Sequence, residues 1–197
     1  MTLGARLAGL AQLTLQDPKQ AARVLLAEGV PLRARSAGLL LVAILSAITA
    51  SIQITGREAL DPLSAFMLAS PIRATIFQWL FLSVSVVLIH RVGRAFGGTG
   101  SFADALLIVV WLQVIMLGFQ VLQLAVMPLA PAFSGLIGLV SFMIYLWLLT
   151  VFISELHGFV ARGLVFLAMV ITGVAAGFLL VVLLILLLGP EALMPNV

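Results

Sequence analysis

The sequence predicts an all-α membrane protein, a polytopic transmembrane helical bundle of about five spans preceded by amphipathic interfacial helices. Three observations predict it. The 197 residues are 63% hydrophobic and only 9% charged, whereas a soluble domain is roughly 45–50% apolar and about 25% charged. The ionisable residues are separated by long uncharged runs: Ser36 to Gly56, Ala74 to Ile89, Ala105 to Ser154 and Gly163 to Pro190. The Lys and Arg residues between these runs are unevenly shared between the two sides of a membrane.

A helix rising 1.5 Å per residue crosses a hydrocarbon core of ~30 Å in about 20 residues. The longest run, Ala105 to Ser154, is 50 residues, more than twice that length, and Pro128 and Pro131 divide it. The spans are therefore expected at about 36–54, 74–90, 105–127, 132–154 and 164–188, within a membrane domain of residues 36–190. The last is the most apolar, with 18 Leu, Ile, Val or Phe residues between Leu164 and Leu188. The second, with Gln78, Ser83 and Ser85 inside it, is the least apolar.

Charge placement decides whether the second span crosses. With five spans and a cytoplasmic N-terminus, Arg6, Lys19, Arg23, Arg33, Arg35, Arg91, Arg94 and Arg162 face inward, and Arg57 and Arg73 face outward. That is eight cations against two; omitting the second span leaves five on each side. Inner loops carry the Lys/Arg excess, so the five-span topology is preferred, with residues 191–197 as a short external, periplasmic tail.

Residues 1–35 form a separate leader. They hold five cations and no long apolar core, unlike a standard signal peptide. Leu3, Leu7, Leu10 and Leu15 approximate one helical face, with Arg6 and Gln12 off it. Asp17-Pro18 reads as an N-cap and first helical residue, and Gly29 as the residue after a helix end. A second helix is thus expected over residues 18–28, with Lys19 and Arg23 reaching lipid headgroups. Both helices are expected along the inner membrane surface. Outside, Asp61-Pro62 with Leu63, Phe66 and Met67 predicts a short interfacial helix that Pro71 ends. Inside, Gly93, Gly97, Gly98 and Gly100 predict a flexible turn, and Ser101 with Asp104 a capping box opening the third span.

Little in the chain carries chemistry. No span has an ionisable residue near its centre, where proton relays and ion-coupled pumps need one. There is no cysteine and no nucleophile elbow. The glycine-rich turn follows no strand, so nucleotide binding is not expected. The high isoelectric point of about 10.6 reflects few acids rather than a basic patch, so no nucleic acid partner is expected. Glu155, His157 and Arg162 mark a polar turn at the inner end of the fourth span, where Glu155 is placed to pair with Arg162. With no third ligand in view, neither a metal nor a cofactor is expected.

The third span carries a polar stripe. Gln113, Gln120 and Gln123 fall within about 80° of one another on a helix. Candidate partners are Ser46, Thr49 and Gln53 on the first span and Gln78 and Ser85 on the second. The stripe is either a hydrophilic path or a set of interhelical hydrogen bonds, and the second reading is preferred. Small residues mark close helix contacts at Ser134, Gly138 and Ser141, and at Gly173-x-x-x-Gly177, where the contact lies within the chain or across a dimer.

The order of these features resembles the Yip (Ypt-interacting protein) domain family, in a bacterial member. The matching features begin with the leader Asp17-Pro18, Leu25-Leu26 and Gly29 and continue through the five spans. They include the turn Gly97-Gly98-Thr99-Gly100-Ser101-Phe102-Ala103-Asp104-Ala105 and the segment Glu155-Leu156-His157-Gly158-Phe159 followed by Arg162. The resemblance implies a five-helix bundle with a cytoplasmic N-terminus in an inner membrane. Eukaryotic relatives act in vesicle trafficking and contact Rab-type GTPases. Their Asp-Leu-Tyr-Gly-Pro motif is missing here, Tyr145 being the only tyrosine, so no GTPase-contacting residue carries over. The expected role is non-enzymatic: membrane organisation or partner recruitment, with lipid and a second copy or another membrane protein as partners. The alternative is a small oligomeric transporter or channel using the glutamine stripe.

Overall fold

The computed structural model describes residues 2–54 and 70–188. Among these, seven helices and no strand occur: α1 Leu3–Gln16, α2 Pro18–Ala27, α3 Leu32–Ile54, α4 Pro71–Ala95, α5 Phe102–Val126, α6 Pro131–His157 and α7 Arg162–Leu188. Helices α3 to α7 are each long and apolar enough to cross a bilayer. The external helix expected around Asp61–Met67 and the tail at 191–197 lie outside the described residues.

The helices overrun the uncharged runs because their polar ends remain helical. Helix α4 continues through His90, Arg91 and Arg94, and α6 through Glu155 to His157. Proline opens three helices at the first turn, Pro18, Pro71 and Pro131, where its missing N–H lacks an intrahelical partner anyway and its fixed φ suits the helix. Pro71, expected to end a preceding helix, is thus the start of α4.

Helix α5 is the hub. It packs on α3, α4 and α6, while α2 lies across α6 and α5. Its leader-side half, from Ala105 to Ile115, is buried at nearly every position. By contrast, α7 leans on α6, and only 6% of the residues in its most apolar stretch are buried. The core joins Ala21, Ala22 and Leu25 of α2 to Leu82, Val86, Ile108, Leu112, Leu148 and Phe152 of the spans.

The leader is a helical hairpin docked on the bundle. Asp17 serves both helices: its N–H donates to Leu13 O at 2.7 Å, and its carboxylate accepts from Gln20 N at 3.0 Å. Arg6 Nη2 closes the open end, donating to both Glu28 oxygens at 2.8 and 2.9 Å. Thr14, Ala21 and Ala22 are completely buried. Small side chains at 21 and 22 let α2 approach α5 and α6 closely. Of the leucines placed on one helical face, Leu3, Leu7 and Leu15 are exposed, whereas Leu10 packs against the core.

Candidate functional site

The polar side chains gather at two places: the leader-side end of the bundle, and a band between α3, α5 and α6.

At the leader-side end, four links fasten the hairpin and helix ends together. The Trp111 indole N–H donates to Thr14 Oγ1 at 2.9 Å, and the Thr14 hydroxyl donates to Leu10 O at 2.7 Å. This satisfies a buried indole N–H that would otherwise cost about 1–3 kcal/mol. Arg35, whose side chain is only 8% exposed, donates to Asp104 Oδ1 at 2.8 Å and to Val30 O at 2.7 Å. Ser101 and Asp104 form the expected cap at the start of α5, with Asp104 N donating to Ser101 Oγ at 3.1 Å. Glu155 is the fourth link. It accepts from Arg23 Nε of α2 at 2.9 Å and lies 3.5 Å from Arg162 Nη2 at the start of α7. The expected Glu155–Arg162 pair is thus present, with Arg23 added. Arg23, expected to reach headgroups on its own, is held by Glu155 while its side chain stays 71% exposed.

His157 faces the other way. It is 3% exposed and sits in a cradle of glycines. A Cβ added at Gly93, Gly98 or Gly100 would lie less than 3 Å from its ring. Its Nδ1 accepts from Gly100 N–H at 3.2 Å, which leaves Nε2 protonated and donating to Ile89 O at 3.2 Å. Both ring nitrogens are therefore committed, and the ring stacks on Phe159 at 5.4 Å. The glycine turn is thus a fitted surface rather than a flexible link. Gly158 ends α6 at φ 75°, and Phe159 N–H donates back to Ser154 O at 2.9 Å, the left-handed stop that glycine favours. Glu155 and His157, two positions apart in sequence, consequently point into different surroundings. Among the described residues no three His, Cys, Asp or Glu side chains cluster as metal ligands. The His90 Nδ1 is buried without a hydrogen bond among them, and its ring meets Phe102 edge-on at 6.0 Å.

In the second place, the glutamines are bonded to protein. Gln113 Nε2 donates to Ser46 Oγ at 2.9 Å. The Thr49 hydroxyl donates to Gln120 Oε1 at 2.7 Å, and Gln53 Nε2 to Gln120 O at 3.2 Å. Across α5 and α6, Gln123 Nε2 donates to Ser134 O at 3.0 Å, and Ser134 Oγ returns a bond to Gln123 O at 3.2 Å. Gly138 lies under the Gln123 amide, leaving no room for a Cβ. The α4 partners do not join. Gln78 is half-buried with no side-chain hydrogen bond among the described residues, and Ser85 bonds within its own helix to Phe81 O. At Gly173 and Gly177 an added Cβ would meet nothing within 4 Å among the described residues, so no within-chain contact forms there among them.

Two residues central to the fold were not singled out in sequence. Thr14 and Arg35 carry no local signature of burial, because their partners Trp111 and Asp104 are 97 and 69 residues away. The one available signal was Arg35 standing at the very edge of an apolar run.

No curated protein and no solved structure compared with the chain gives a significant match. The Yip1 domain model matches residues 13–184. That region spans the end of α1, the docked α2 and all but the last residues of the five spans. The chain belongs to the Yip1 domain family of membrane proteins.

Proposed function

We propose that this protein is a non-enzymatic membrane scaffold that organises the bilayer or recruits partners through its leader-side face. The observation that carries the reading is the docked hairpin. Thr14–Trp111 and Arg23–Glu155 fasten the hairpin to α5 and α6, and Arg35–Asp104 ties the start of α3 to that of α5. The hairpin thus presents an amphipathic surface, with Leu3, Leu7, Leu15 and Val24 exposed, at one end of the bundle. The side chains best suited to chemistry, His157 and the glutamines, have partners within the fold. That supports a packing role for Gln113, Gln120 and Gln123 over a transport path. The charge asymmetry supports placing this face in the cytoplasm of a bacterial inner membrane, with the C-terminus external. Partners would be a second copy or another membrane protein.

Site-specific photocrosslinking tests the reading. A probe at exposed Leu7 or Val24 of the leader is expected to yield a discrete protein adduct, and one at lipid-facing Leu179 is not. Lipid adducts alone from all three positions would overturn partner recruitment through the leader.

A further inference from the structure

Beside Glu155 lies a cleft of about 500 Å³, lined by Lys19, Arg23, Ser154, Glu155, Phe159 and Arg162, among others. We propose that this cleft holds the headgroup of an anionic phospholipid. The proposal stands whether or not the leader recruits proteins, since it needs only the cleft and the bilayer.

Three cations face one carboxylate here, so the lining carries two positive charges in excess. Lys19 is exposed and has no ion pair among the described residues. Glu155, 16% exposed, lies deeper than Arg23 at 71% and Arg162 at 38%. The carboxylate therefore anchors the guanidiniums from below. Each guanidinium has five N–H donors in a fixed fork, and Glu155 engages Arg23 through Nε and Arg162 only at 3.5 Å. Donors remain on both for a phosphodiester oxygen. Helix α7 starts at the same spot, after Ala161, which offers no capping side chain. Its N-terminus adds a favourable dipole for an anion.

The surroundings favour a lipid over a free anion. Val160, 97% exposed, lines the cleft, and exposed Leu164, Leu167 and Ile171 present an apolar surface along α7. A phosphodiester seated among the cations would lay its acyl chains along that helix. The cleft sits where the spans end, at headgroup depth.

The test is native mass spectrometry of the full-length protein released from micelles holding equimolar phosphatidylglycerol and phosphatidylcholine. The wild type is expected to retain phosphatidylglycerol preferentially. The K19Q/R162Q variant should lose retention by roughly fivefold for each cation removed. R33Q/R91Q removes two cations elsewhere at the same end and should leave retention unchanged. Equal retention of the two lipids by the wild type overturns the proposal, as does an equal loss in R33Q/R91Q, which would mean diffuse surface attraction. Displacement of phosphatidylglycerol by millimolar inorganic phosphate would make this a free-anion site and overturn the lipid assignment. K19Q alone touches no contact of the fold, so it keeps the test open if the double variant unfolds.

Discussion

Replacing Gly93 by alanine puts one methyl group against the buried His157 ring. The new Cβ would fall less than 3 Å from ring atoms, and the ring has hydrogen bonds at both nitrogens. Relief requires the ring to move, giving up the bond to Gly100 N–H, to Ile89 O, or both. Overpacking costs about 1–3 kcal/mol, each hydrogen bond contributes about 0.5–1.5 kcal/mol, and the gain in helix propensity returns about 1 kcal/mol. The net expectation is a loss of roughly 0.5–5 kcal/mol. Gly173→Ala is the matched control: it is helical, exposed and meets nothing within 4 Å, so only the propensity term applies and stability should hold or rise by up to about 1 kcal/mol. Both are measured by reversible unfolding in mixed micelles of mild detergent and dodecyl sulfate, followed by tryptophan fluorescence and helicity. A Gly93→Ala protein as stable as wild type, or equal losses at both sites, would refute the fitted cradle.

Three further outcomes are expected. Gln113→Leu and Gln120→Leu should each lower stability by about 0.6–1.7 kcal/mol, the range for interhelical hydrogen bonds in membranes, and the same unfolding assay checks this. Arg35→Met should cost more than Arg6→Met, because the Arg35 side chain is 8% exposed and Arg6 is 55% exposed. Exposed pairs contribute about 0.2–1 kcal/mol, so a loss above about 1 kcal/mol is expected only for Arg35. A reporter enzyme active only outside the cytoplasm, fused after Val197, should be active, and activity of a cytoplasm-only reporter there would reverse the topology.

Much of the fold is legible because the membrane imposes a simple rule. Uncharged runs of about 20 residues must become helices, so α3 to α7 follow from gaps between ionisable residues. The capping signals at Asp17-Pro18 and Ser101–Asp104 are local and equally readable. The depth of the leader is not, because an amphipathic face does not say whether lipid or protein covers it. Leu10 and Leu7 look alike in sequence, yet only Leu10 packs against the core. The glutamines could be placed on one face, and their partners Ser46, Thr49 and Ser134 were already visible as small polar residues. His157 could not be placed, because its cradle is built from Gly93, Gly98 and Gly100, more than 55 residues upstream. Gly173 and Gly177 show the reverse: a motif that reads well locally has no neighbour to approach among the described residues.

The thin attachment of α7 also bears on the bilayer itself. Its 27 residues extend about 40 Å, longer than a hydrocarbon interior of ~30 Å. With α6 as its main neighbour, it is able to lean to match the local membrane while α3 to α6 keep their contacts. Thin and thick membranes would therefore set different angles at the Gly158–Ala161 elbow, making lipid composition a mechanical input to the end of the protein where the leader is fastened.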